Sequence, residues 1–280
     1  MKVIYERRAY TVNYALDFNQ HSKHLFDIDE IIVKYEGNED KLRNFLTEHR
    51  TQKITISIET FIQPQTITDL LELKKEGYSF SVRSTVFLPE HVDLFKKAEI
   101  PFFIKRQVMG WDEFLHDLEF GVSEIYISGS LGFELQAVSA LAKEHNVKLR
   151  AIPNIAQGCV LGVPPLKRFF IRPEDIELYS LYIDTFELQG PHDKMDTIYT
   201  IYRSGQWYGN IRELIIGFDT NLDTKHVIPI FGEKRLDCGR RCLKGKRCRL
   251  CDSISKLAET LEGKGLILTP PRKKEEPQND

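Results

Sequence analysis

The 280 residues are 41% hydrophobic and 29% charged, with 17 Phe and 11 Tyr, which is bulk for one large core or two modest ones. A formal net charge of -2 gives no global field toward nucleic acid or membrane, so any such attraction must be local. The apolar runs fall far short of the roughly 20 residues of a bilayer span, and residues 1–8 turn charged too early for a secretory leader.

The first 26 residues hold two β-like runs, Lys2 to Tyr5 and Tyr10 to Leu16, and predict a hairpin or lid. An alternation of strand and helix follows. Strands are expected at Glu30 to Tyr35, Lys53 to Ile58, Tyr78 to Val82, Pro101 to Ile104 and Glu124 to Ile127. Three more are expected at Val147 to Ile152, Arg168 to Ile171 and Ile183 to Leu188. Helices fall between them: from Asn38, from Thr66 to a stop at Gly77, and from Pro89 with proline in its first turn. Two more run from Trp111 to a stop at Gly121 and from Phe133 to His145. Strand starts lie mostly about 20 to 26 residues apart, the spacing of parallel strands with right-handed crossovers. Eight such units close into a (β/α)8 TIM-like barrel over residues 27–190; an open doubly wound sheet is the alternative. An irregular run, Pro153 to Pro165, stands where the sixth unit needs a helix. A helical extension is expected over 191–232, a metal-binding loop and helix over 233–263, and a charged, disordered tail over 264–280.

Barrel active sites gather at the C-terminal ends of the strands. Polar residues there are Glu59, Arg83, Lys105, Arg106 and Arg172, read as catalytic candidates: cations for an anion, Glu59 for acid–base work or simply neutralising the arginines. Glu187 belongs to the same set with less weight. The small turn Ser128-Gly129-Ser130, with Asn154 after the sixth strand, is the candidate cofactor- or phosphate-binding set, although tight strand–helix turns use such residues for geometry alone.

Four of the five cysteines crowd into one late stretch: Cys238, Cys242, Cys248 and Cys251, spaced C-x3-C-x5-C-x2-C. Four thiolates suit a closed tetrahedral Zn(2+) site, and equally a [4Fe-4S] cluster. Without an export signal the chain is expected to be cytoplasmic, where reduced thiols favour metal over disulfides. The fifth, Cys159, reads as a loop or core thiol. Arg240, Arg241, Lys244, Lys246, Arg247 and Arg249 give this loop a local positive charge that suits an RNA or DNA backbone. The same charges also offset four thiolates around a divalent ion.

A barrel with a late cysteine cluster resembles the tRNA-guanine transglycosylases, although a fourth cysteine stands where that family has histidine and its paired aspartates have no match. It also resembles the iron–sulfur barrels of the collagenase-like peptidase family, whose cysteines are more scattered. Both resemblances imply an intracellular metal-bearing barrel enzyme working on nucleic acid or a nucleotide. A non-catalytic scaffold and an iron–sulfur redox or hydroxylating enzyme are the competing readings. The enzyme reading requires Glu59 and at least two of the basic residues to converge on one concave pocket.

Overall fold

The computed structural model describes residues 14–17, 28–59, 61–108, 110–129, 131–156, 168–207, 211–217, 231–236, 238, 249, 252, 253, 256 and 260. Within them runs one parallel ladder. Its strands are β1 (Tyr14–Asp17), β2 (Glu30–Lys34), β3 (Lys53–Ile58), β4 (Ser81–Ser84), β5 (Phe102–Ile104), β6 (Gln107–Val108), β7 (Glu124–Ile127), β8 (Lys148–Ala151) and β9 (Thr185–Glu187). The spatial order is β5-β4-β3-β2-β1-β9-β8-β7-β6, and all pairings are parallel. Its two ends, β5 and β6, are halves of one chain segment that bends at Lys105 and Arg106. The Ser123 N–H donates to the Phe102 carbonyl at 2.8 Å, which ties the β5 half to the chain entering β7. The ladder therefore returns on itself with eight strand positions, and the open-sheet alternative falls.

The membership differs from the sequence expectation. Tyr14–Asp17 pairs in parallel with β2 on one side and β9 on the other, so it is a barrel strand and not part of a hairpin. Arg168 to Ile171 is outside the ladder, because β8 pairs directly with β9 through Arg150 with Thr185 and Ala151 with Phe186. Its apolar residues Phe169, Phe170 and Ile171 are nonetheless buried. A buried run of this length reads as a strand whichever neighbour it has. Here part of its carbonyl edge is met by a side chain: the Arg235 guanidinium donates to the Phe170 carbonyl at 2.9 Å and to that of Arg168.

Five crossover helices wrap the ring: α1 (Glu39–Glu48), α2 (Pro64–Lys75), α3 (Pro89–Lys97), α4 (Trp111–Phe120) and α5 (Leu135–Glu144). The Asn38 side chain caps α1 by accepting from the Lys41 N–H at 2.9 Å. Gly121, at φ 78°, closes α4 in the left-handed conformation that glycine adopts without a Cβ clash. Later come α6 (Ile176–Tyr179), α7 (Met195–Ser204), α8 (Ile211–Leu214) and α9 (Phe231–Leu236). Through Tyr199 and Tyr202, α7 packs on Tyr14 of β1, whose hydroxyl donates to the Tyr202 carbonyl at 2.9 Å. Among the described residues no helix is long and apolar enough to cross a membrane.

The ring has two unlike faces. Ile54, Ile56, Val82, Phe102, Ile125 and Phe186 are buried with Leu70, Phe95, Phe114 and Val138 of the helices in one apolar core. Most inward positions alternate with these and are polar: Lys53, Thr55 and Ser57 on β3, Ser81 and Arg83 on β4, Glu124 and Tyr126 on β7, Arg150 on β8 and Glu187 on β9. Branched apolar side chains usually fill such an interior. Here charge fills much of it, packed against the Phe103 ring.

Candidate active site at the mouth of the ring

The interior charges form a chain of alternating sign that runs from one mouth to the other. At the N-terminal end, Lys53 Nζ donates to Glu124 at 2.6 Å and lies 2.7 Å from Glu30. Both carboxylates also receive the fully buried Arg150, whose Nη2 lies 2.6 Å from Glu124 and 2.7 Å from Glu30. Arg150 Nη1 sits 3.6 Å from Glu187, without a hydrogen-bond partner. Glu187 accepts from Arg83 at 3.0 Å and from the Tyr126 hydroxyl at 2.5 Å. Arg83 Nη2 then lies 4.0 Å from Glu59, and Glu59 accepts from Lys105 Nζ at 2.6 Å on both oxygens. Each buried charge has an opposite neighbour, the condition for keeping charge in a low dielectric.

The carboxylates respond accordingly. Burial alone would raise the pKa of Glu30, but Arg150 and Lys53 outweigh it and lower it to about 2. Glu187 follows the same pattern: burial pushes it up, while Arg83 and Arg150 bring it below the usual carboxylate value. Burial also works against ionised Glu59, yet bonds from Lys105 and Ser57 and the charges of Lys105 and Arg83 hold it ionised. Burial and the Glu187 charge push the Tyr126 hydroxyl up, so it stays a neutral donor.

At the C-terminal mouth the chain meets solvent. Lys105 and Glu59 side chains are 31% and 32% exposed, whereas Arg83 is 2% exposed. Beside them opens a cleft of about 250 Å³ lined by Lys105, Arg106, Gln107, Tyr126, Ile152, Glu187 and Gln189. Asn154 pins Gln189 in place: its Oδ1 accepts from the Gln189 N–H at 3.1 Å, and its amide donates to the Gln189 carbonyl. Gln189 in turn donates to Glu187 at 3.1 Å.

Of the five residues read as catalytic, four meet at this mouth. Glu59, Lys105 and Arg83 form one cluster; of the four, Lys105 and Arg106 line the cleft, Arg106 while bonding Asp117 on α4, and Glu59 touches it only through Lys105. Arg172 is elsewhere. It follows the run that is not a strand, and it holds Asp175 at 2.6 and 2.7 Å. In the small turn the first amide is already used. Ser128 is buried and its N–H donates to the Val108 carbonyl at 3.0 Å, so that N–H is not offered to a phosphate. Gly132, after it, is required because a Cβ there would run into the Phe169 ring. Asn154 positions Gln189 rather than facing the cleft itself, and Ser130 lies outside the described residues.

Sequence reasoning passed over Tyr126, Gln189, Arg150, Glu30, Glu124 and Lys53. A signal was present: Lys53-Ile-Thr-Ile-Ser57 and Glu124-Ile-Tyr126 alternate polar with apolar inside strands buried on both faces. In a closed ring that alternation means polar side chains pointing inward.

The residues of the metal expectation lie almost wholly outside the described ones. Cys242, Cys248 and Cys251, with Cys159 and the basic residues Arg240, Arg241, Lys244, Lys246 and Arg247, lie outside the described residues. Cys238 is half-buried, with its N–H donating to the Arg235 carbonyl at 3.0 Å, and Arg249 is exposed. Among the described residues no three His, Cys, Asp or Glu side chains gather where they could hold a metal.

Comparison with known proteins returned no matching family model and no matching curated protein. Solved structures match at low identity. One is a 4-hydroxy-2-oxoglutarate aldolase/2-deydro-3-deoxyphosphogluconate aldolase from TTHB1, at 14% identity and TM-score 0.40, covering 69% of this chain and 92% of that one. Native KDPGal matches at 12% identity and TM-score 0.45, covering 71% of this chain and 97% of that one. A cube-shaped, highly porous protein cage designed by fusing symmetric oligomeric domains matches at 13% identity and TM-score 0.45, covering 94% and 88%. The resemblance to tRNA-guanine transglycosylases and to iron–sulfur barrels of the collagenase-like peptidase family is corrected here: no family model and no curated protein supports either. With them goes the reading of an RNA-modifying or nucleic-acid enzyme that those resemblances implied.

Proposed function

We propose that this protein is an enzyme acting on a small anionic carbonyl compound at the C-terminal mouth of the ring, with Glu59 and Lys105 as the working pair. The observation that carries the reading is their geometry. An ionised carboxylate and an ammonium group face each other at 2.6 Å, each about a third exposed, beside a cleft of about 250 Å³. The Arg150 and Arg83 pairs deeper in the ring are sealed; this one, at the strands' C-terminal ends, is open to a ligand.

An incoming carboxylate competes with Glu59 for Lys105, assisted by Arg106 at the cleft wall. Glu59, released from its partner but still braced by Ser57 at 2.6 Å, becomes the base. It takes a proton from the carbon next to the carbonyl. The C–H electron pair forms the new C=C bond, and the carbonyl pair moves onto oxygen, where Lys105 stabilises the enolate. Return of the proton from Glu59 completes exchange without net change. A 2-oxo acid is the smallest compound that offers both the anion and the acidified C–H.

The test is hydrogen exchange. In deuterated buffer, pyruvate and larger 2-oxo acids should lose their C3 proton signals faster with protein than without. Glu59→Gln should slow this by about 100-fold or more, the usual worth of a positioned base, and Lys105→Met should slow it too. Exchange at the protein-free rate across the 2-oxo acids would sink the proposal.

A further inference from the structure

We infer that the substrate carries an apolar group beyond its anionic end, seated on Phe61 and Val86; the inference rests on the mouth being the active site. Six large apolar side chains are exposed among the described residues. Only two are more than half exposed: Phe61 at 53% and Val86 at 52%. The other four, Leu94, Leu115, Leu181 and Ile216, are each less exposed, at 37–43%. Scattered surface apolar residues need no explanation, but these two are not scattered.

Both stand within two residues of a group that touches Lys105. Phe61 follows Glu59, the carboxylate partner of the Lys105 ammonium at 2.6 Å. Val86 follows Ser84, whose carbonyl accepts from the Lys105 N–H at 2.7 Å. The loops after β3 and β4 also lean on each other: the Phe61 ring meets His91, in the first turn of α3, edge-on at 6.3 Å. Their neighbours Ile62 and Phe87 are buried, so the loops are anchored from below and present the two apolar side chains outward. The cleft that Lys105 lines is otherwise made of amides, charges and a hydroxyl, and of those side chains only Ile152 is aliphatic. A ligand with its carboxylate on Lys105 and Arg106 can extend over Phe61 and Val86, the two most exposed large apolar side chains among the described residues. Covering a surface of that kind gains free energy in proportion to the area removed from water.

Binding of pyruvate, 4-methyl-2-oxovalerate and phenylpyruvate, measured by calorimetry, tests this. The two compounds with apolar tails should bind about tenfold tighter than pyruvate or better. Phe61→Ser and Val86→Ser, both at exposed positions, should bring that ratio down toward one. Equal affinity for all three compounds overturns the inference while leaving the mouth as the site. Tail preference that survives both substitutions overturns it as well. If none of the three binds, the mouth reading and this inference fall together. Sedimentation supplies the remaining outcome: a dimer that Phe61→Ser converts to monomer would assign the patch to a subunit contact and overturn the inference.

Discussion

Arg150 shows what one side chain does in this ring. It is fully buried, bonds Glu30 and Glu124, lies 3.6 Å from Glu187, and lies over the Phe103 ring at 5.0 Å and the Tyr126 ring at 5.6 Å. Replacing it with Met leaves two buried carboxylates facing Lys53 alone. Breaking a buried ion pair from one side costs about 3–5 kcal/mol, and urea unfolding of Arg150→Met should show a loss of that order. Glu30 adds a pH signature. Its ordinary pKa of 4.5 falls to about 2 in the folded protein. The stabilisation is therefore fully present above about pH 4.5 and is lost as pH falls toward 2. Glu187, lowered in the same direction, acts with it. Unfolding free energy measured across pH 2–6 should decline steeply on the acid side, and Glu30→Gln should flatten that decline. An unchanged profile in the variant would show that Glu30 is not the group responsible.

At the scale of elements, the run Arg168 to Ile171 is the instructive case. Its composition is that of a strand, yet no barrel neighbour takes it. Arg235 on α9 serves the Phe170 and Arg168 carbonyls and stacks over Phe170 at 4.3 Å and Phe133 at 5.2 Å, while the Ile171 N–H donates to the Pro153 carbonyl at 2.9 Å. The planar fork of a guanidinium can serve two carbonyls at once, and an ammonium cannot reproduce that geometry. Arg235→Lys should therefore destabilise nearly as much as Arg235→Ala, by about 1–3 kcal/mol for buried carbonyls left unserved. Chemical denaturation of the pair checks this, and full rescue by lysine would show that charge alone suffices. Gly132 tests the same contact from the opposite side. Its missing Cβ makes room for the Phe169 ring, so Gly132→Ala should cost about 1–3 kcal/mol through overpacking, read as a lowered midpoint of thermal unfolding.

For the whole molecule, closure is the central fact. β1 is four residues long, yet it joins β2 to β9, and Tyr14 fastens it to α7. Tyr14→Ala removes a buried ring beside Phe186 and Tyr199 and one buried hydrogen bond, a cost of about 3–5 kcal/mol by the measure of large-to-small core changes. The ring should still unfold as one unit. Fluorescence from Trp111, on α4 next to the β5–β6 end of the order, should therefore shift together with far-UV circular dichroism. Separate transitions would show that β1 closes the ring without coupling it.

The sequence by itself determined the alternation of strands and helices, the caps at Asn38 and Gly121, and the gathering of Glu59, Arg83, Lys105 and Arg106 at strand ends. These are local: period, turn chemistry and helix stops are written in neighbouring residues. Tertiary structure decided which eight segments make the ring, that Tyr14–Asp17 is among them and that 168–171 is not. Strand pairing joins residues far apart in the chain, such as Tyr14 with Phe186 and Ala15 with Glu30, and no local pattern encodes a partner. It also decided what the inward polar residues are for. Arg150 and Glu30 are 120 positions apart, and only closure brings their charges within 2.7 Å, where each makes the other's burial tolerable.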